Sequence, residues 1–212
     1  MIGLIRNNFY SMESNLMISL ILAAALGFSP LIISDGAIYP VIIAVQIFLF
    51  VANTGTALHA DELAKWNEFE LTLPVRRSTV IGAKYVTFAA LILCGLAISL
   101  CTVVCIRASG QTWDLSSILW GYRYGSALSV LSISLMYPII LGTGTEKNEL
   151  ALLISAFAAI CFMCLIAAVL SPATGGMNLR HPLVGMVSIF AAVGMFLVSF
   201  AVSVNIHKNK EF

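Results

Sequence analysis

The chain has 212 residues, 60% of them hydrophobic and only 10% charged, with a formal net charge of +1. A soluble globular domain carries about 25% charged residues, so a mean hydropathy of +0.99 excludes that class and points to an integral membrane protein. There is no basic surplus to hold nucleic acid, which is not expected as a partner.

In chain order, Ile2, Ile5, Phe9 and Met12 share one helical face while Arg6, Asn7 and Glu13 fall elsewhere. That spacing predicts a short N-terminal helix lying in the membrane interface. Apolar runs follow at about 16–34, 37–58, 80–106, 116–141, 149–170 and 183–206. Each is near or above the roughly twenty residues that cross about 30 Å of hydrocarbon. Backbone groups left without partners are costly in lipid, so the runs are read as helices, and the alternation of a barrel strand is missing. The expectation is an all-α membrane protein, one domain over 1–212 with six transmembrane helices. Ala23, Ala24 and Ala25 resemble a signal-peptide cleavage site, yet the run stays apolar to Ile33, as suits a retained span. Ser34, Asp35 and Gly36 read as a tight hairpin, and Pro40 stands near the start of span 2, where a missing amide is harmless.

Within span 2, Gln46 and Asn53 are seven residues apart and share a face, with Thr54 and Thr56 following. They are expected to point away from lipid. Two roles fit: lining a substrate route or subunit seam, or hydrogen bonding between helices.

The connection between spans 2 and 3, residues 59–79, gathers Asp61, Glu62, Lys65, Glu68, Glu70, Arg76 and Arg77 around Trp66, Phe69, Leu71 and Leu73. With Asp61 as N-cap, Leu63, Trp66, Phe69 and Leu73 recur at near-helical spacing through about Thr72. This predicts a surface helix of roughly three turns, ended by Pro74, with Ser78 capping span 3. Anionic headgroups favour basic helices, and four acids make this one a better face for a soluble protein.

The later spans carry little chemistry. Arg123 beside Trp120, Tyr122 and Tyr124 suits an interfacial belt. No carboxylate lies at depth, which disfavours a proton- or sodium-coupled carrier. The five cysteines, Cys94, Cys101, Cys105, Cys161 and Cys164, all fall inside spans and read as buried small apolar residues; Cys161 and Cys164 lack the second cluster a metal or redox site needs. Ala23 and Gly27, Gly95 and Ser99, and Gly121 and Gly125 offer close helix contacts. His59, His181 and His207 form no H-E-x-x-H pair, and no G-x-S-x-G elbow occurs. Gly142-Thr143-Gly144-Thr145-Glu146-Lys147 lacks the Gly-Lys-Ser/Thr of a phosphate loop and follows a membrane helix rather than a strand. No catalytic residue, metal ligand or bound cofactor is expected.

Placing both termini in the cytoplasm puts Arg6, Lys65, Arg76, Arg77, Lys84, Lys147, Lys208 and Lys210 inside and leaves only Arg107, Arg123 and Arg180 outside. The positive-inside rule favours that orientation.

The short N-terminus, the six spans and the stretch from Asp61 to Arg77 resemble the small ABC-2 type permeases of bacterial ABC exporters, in particular the group that includes phenol-soluble-modulin exporters. Members carry an acidic-aromatic segment and a Leu-Pro turn, here Leu73-Pro74, then a Lys-Tyr pair, here Lys84-Tyr85. A proline near the inner end of span 4, then glycine and Glu-Lys, is matched by Pro138, Gly144, Glu146 and Lys147, although Gly142 and Thr143 replace the usual basic-aromatic pair. The resemblance implies a membrane subunit in the cell membrane, with ATP and Mg bound by a separate cytosolic ATPase and a second permease, identical or sibling, beside it in the lipid. Residues Glu62 to Leu73 would form the coupling helix. Trp66, Phe69 and Leu73 would be its docking face, Glu62, Glu68 and Glu70 would pair with basic ATPase residues, and Lys65 would lie among them. Arg76 and Arg77 would bind ATPase acids or lipid phosphates. The apolar spans point to export of amphipathic peptides or lipid-like molecules; a non-transporting immunity or sensor subunit that recruits a cytosolic partner is the alternative.

Overall fold

The computed structural model describes residues 2–32, 35–66, 76–108, 110 and 114–209. Helix α1 spans Ile2–Ser11 and α2 spans Glu13–Phe28, tightening into one 3-10 turn at Ser29–Leu31. Then come α3 (Tyr39–Leu63), α4 (Arg77–Ala108), α5 (Leu115–Thr143), α6 (Asn148–Val169), a single helical turn at Ser171–Thr174, and α7 (Pro182–Asn209). No strand occurs among the described residues, and six helices, α2 to α7, are long and apolar enough to cross a membrane. The chain is an all-α membrane protein.

Burial separates the helices into centre and periphery. In their most apolar stretches α3 is 67% and α5 56% buried, against 22–33% for the other four. The two central helices touch almost backbone to backbone. A Cβ added at Gly121 would lie 2.6 Å from the Pro40 carbonyl oxygen, and one at Gly125 would lie 2.7 Å from the Ala44 Cα. Small residues at four-residue spacing thus do on α5 what they do in lipid generally, where dispersion and close approach replace the hydrophobic effect as the glue. Pro40 sits in the first turn of α3, as its missing amide requires.

An aromatic cluster locks α4, α5 and α7 together. Tyr85 meets Tyr137, Phe196 and Phe200 edge-on at centroid distances of 5.3, 4.9 and 5.3 Å, and its hydroxyl is hydrogen bonded to Ser199 (2.6 Å) and Ser203 (3.0 Å). Edge-to-face pairs place the positive ring edge on the negative face of the neighbour, and the phenol keeps a partner although buried.

The chain ends lie at one end of the bundle, the lower end. There the Arg77 guanidinium donates to the carbonyls of His207 and Lys208, both at 2.9 Å, covering acceptors that the last turn of α7 leaves without an amide. At the opposite, upper end the Trp120 indole donates to the Leu179 carbonyl (3.0 Å), and the Arg180 guanidinium sits 5.3 Å over the Trp120 ring. Arg123 bonds there to the Leu119 and Pro182 carbonyls, which places it at an end of the bundle and not at its middle. Asp114 caps α5, its carboxylate accepting from the Ser116 and Ser117 amides at 3.3 and 3.1 Å. Asp35 accepts from the Ala37 amide at 2.9 Å, an Asx turn within the expected hairpin, whose Ser34 is outside the described residues.

On α1, Leu4 and Asn8 are buried and Ile5 and Phe9 partly so, while Ile2 stays 84% exposed; three expectations elsewhere need correction. Asn8 is tolerated inside because its amide donates to Thr87 Oγ1 at 3.1 Å. Helix α3 runs on to Leu63, so Asp61 is no N-cap but a residue of its last two turns. Ser78 lies inside the first turn of α4, which starts at Arg77. Cys94, Cys101 and Cys161 are exposed on the bundle surface and Cys105 and Cys164 half-buried, because the surroundings of the peripheral helices are lipid and an apolar thiol needs no further shelter there.

Candidate functional site

The last two turns of α3 continue its buried face. Thr54, Ala57, Leu58 and Asp61 follow one another at i, i+3, i+4 and i+7, all buried. This brings the Asp61 carboxylate, 3% exposed, against the Lys84 ammonium, 5% exposed, in an ion pair between α3 and α4. The other oxygen of Asp61 accepts from Ser11 Oγ at 3.1 Å, so one carboxylate joins α1, α3 and α4. A charge taken out of water is tolerable only when paired and hydrogen bonded, and both conditions are met.

Glu62, the next residue, is exposed and turns to the other side. One of its oxygens accepts the Thr145 amide at 2.9 Å, in the turn between α5 and α6. Two further bonds hold that turn on α3: His59 Nδ1 with Thr145 Oγ1 (3.0 Å), and the Asn148 side-chain amide with the Gly55 carbonyl (3.0 Å). Gly144 makes the turn with φ +89°, open to glycine and strained for other residues. The amide that a phosphate would need at this glycine-rich stretch already faces a carboxylate, an arrangement that repels anions.

Helix α3 then stops. The amides of Ala64 and Lys65 return to the carbonyls of Ala60 and Glu62, and Lys65 takes a left-handed conformation, φ +51°. Trp66, half-buried, packs with Ile5 against Leu4, Val80 and Ala83, on α1 and the start of α4. Glu68, Phe69, Glu70 and Leu73 lie outside the described residues. Lys65 and Arg76 are exposed at the two ends of the connection, and Arg77 is committed to the end of α7.

Gln46 and Asn53 point away from lipid, 0% and 4% exposed. Gln46 donates to the Ala23 carbonyl (2.7 Å) and accepts from Thr102 Oγ1 (2.8 Å); Asn53 exchanges bonds with Ser19 Oγ at 2.9 and 3.3 Å. Gln46 therefore serves the seam of α3 with α2 and α4, and Asn53 that of α3 with α2. A groove of about 650 Å³ opens instead between α3 and α6, with His59, Glu146 and Asn148 at its polar mouth and Ala52, Leu152 and Leu153 above. Among the described residues no cluster of side chains is arranged to hold a metal ion.

A family model described as "ABC-2 family transporter protein" matches residues 3–208. The chain belongs to the ABC-2 transporter family. No curated protein and no solved structure matches it. Membership makes the chain a permease subunit of an ABC transporter, a class that works with an ATPase subunit and often as a dimer.

The Asp61–Lys84 pair and the hold of Glu62 on Thr145 were missed by sequence reasoning. The signal was present: Asp61 and Lys84 each continue a buried helical face, and they are an acid and a base.

Proposed function

We propose that this ABC-2 permease subunit couples ATP hydrolysis on a separate cytosolic ATPase to export of an amphipathic peptide or lipid-like molecule. The observation that carries the reading is the family match over nearly the whole chain together with the charged connection at the lower end. That end is taken as cytoplasmic because it gathers most of the basic residues. The ATPase docks on the segment from Lys65 to Arg76, with Phe69 and Leu73 as apolar anchors and Glu68 and Glu70 as partners for basic groups. Trp66 seats the segment on α1 and α4, and Glu62 belongs to the internal bond with Thr145. ATP-driven closure of two ATPase subunits then moves the segment, and with it the spans of two permease copies. The groove between α3 and α6, polar at its mouth and apolar above, supports an amphipathic cargo.

The experiment is co-purification from the native host followed by ATPase assay. Wild-type protein is expected to bring down an ABC ATPase; Trp66→Ala/Phe69→Ala is expected to lose it, or to hold it uncoupled, while still inserted in the membrane. Unchanged recovery and coupling in the double variant would overturn the docking assignment. Labelling of Lys65 from outside the cell by an impermeant amine reagent would overturn the orientation.

A further inference from the structure

We propose that the adjacent residues Asp61 and Glu62 are positioning residues that divide movement of the 64–76 connection between the two sides of the bundle. Asp61 carries it to α1 and α4 through Ser11 and Lys84, and Glu62 carries it to the α5–α6 turn through Thr145. The inference rests on the docking reading above and adds to it a route from the docked segment into the spans.

Consecutive residues on a helix point about 100° apart, so a pair at the end of α3 can grip elements on different sides. Asp61 faces into the bundle and takes both the Lys84 ammonium and, at 3.1 Å, the Ser11 hydroxyl. Glu62 faces the surface and takes the Thr145 amide at 2.9 Å. Asp61 and Glu62 themselves lie within a few residues of Lys65, where α3 ends and the connection begins. A push on the connection thus reaches α3 at a point bonded to three other elements. The bonds differ in kind. Asp61–Lys84 is a buried ion pair, whereas Glu62 accepts the Thr145 amide at the surface, beside His59 on the Thr145 hydroxyl at 3.0 Å. Packing alone would hold these helices together; two carboxylates aimed at different sides at the base of the connection also fix which element follows it.

The test uses the permease with its ATPase in lipid nanodiscs, comparing amide hydrogen exchange with and without ATP plus orthovanadate. Wild type is expected to show nucleotide-dependent changes both at the upper end of α4, residues 100–108, and at the α5–α6 turn, residues 142–147. Asp61→Leu/Lys84→Met replaces the buried charges by apolar groups of similar length, a change that buried pairs often tolerate, and Ser11 keeps its bond to the Asn7 carbonyl. This variant is expected to keep the ATPase and the change at 142–147 and to lose the change at 100–108. Glu62→Ala is expected to do the reverse. Glu62→Gln, whose carbonyl oxygen still accepts from Thr145, is expected to restore the wild-type pattern. Because Glu62 is exposed, its arm reads out even if the buried double variant fails to insert. Variants that keep the ATPase and both changes would overturn the inference and leave the docking reading intact. Wild type that binds no ATPase would overturn the docking reading first, and the inference with it.

Discussion

Asp114 shows how one side chain at the rim of the bundle sets a local pH dependence. It stands just before α5, and hydrogen bonds from the hydroxyl and amide of Ser116, followed by those of Ser117, hold its carboxyl below the ordinary carboxylate range. A carboxyl whose pKa falls on folding stabilises the fold at every pH above its unfolded value, and that contribution disappears as pH falls through the lower, folded value. The cap of α5 is therefore expected to survive mild acidification and to loosen only below the usual carboxylate range. Amide exchange at Ser116 and Ser117, followed through the acid range, reads this directly. Asp114→Asn is expected to keep the cap, since asparagine serves as well at this position, and to abolish its acid sensitivity; a variant as acid-sensitive as wild type would assign the loosening to another group.

At the scale of helices, the crossing of α3 and α5 depends on two missing side chains. Gly121→Ala and Gly125→Ala would drive a methyl into the Pro40 backbone or the Ala44 Cα. Each is expected to lower stability by about 1–3 kcal/mol, the usual cost of overpacking, seen as earlier unfolding in a detergent melt. Gly194→Ala, where an added Cβ meets nothing within 4 Å, is the control and is expected to be neutral or slightly stabilising. Equal melts for all three would mean that the crossing relaxes without strain. The helices themselves were legible in the sequence because each apolar run is long enough to have one meaning in lipid, and the glycine pair on α5 was legible as a contact motif. The ends were not. Asp61 in a charged run looks like a cap, and only the presence of Lys84 across the interface makes continuing the helix through it favourable. Helix α1 was legible as a helix, but the burial of Asn8 was not, since its partner Thr87 lies 79 residues away.

For the molecule as a whole, the family and the membrane architecture were visible in residue order, while the wiring of the lower end was not, because the bonds that join its elements link residues distant in sequence. Glu62 illustrates the limit. Its charge and position suggest an outward partner, and nothing local reveals that the Thr145 amide, 83 residues on, lies within reach. The groove between α3 and α6 carries the remaining prediction. In vesicles holding the permease with its ATPase, an amphipathic helical peptide is expected to be moved and to raise ATP hydrolysis. A small, highly charged solute is expected to do neither, and comparable transport of both would count against the cargo assignment. The contact of α3 with α5 bears on how such a path opens. The close backbone approach at Gly121 and Gly125 makes α3 and α5 a single girder, so a path of this kind is expected to widen at the outer joints, where α2 or α6 meets it.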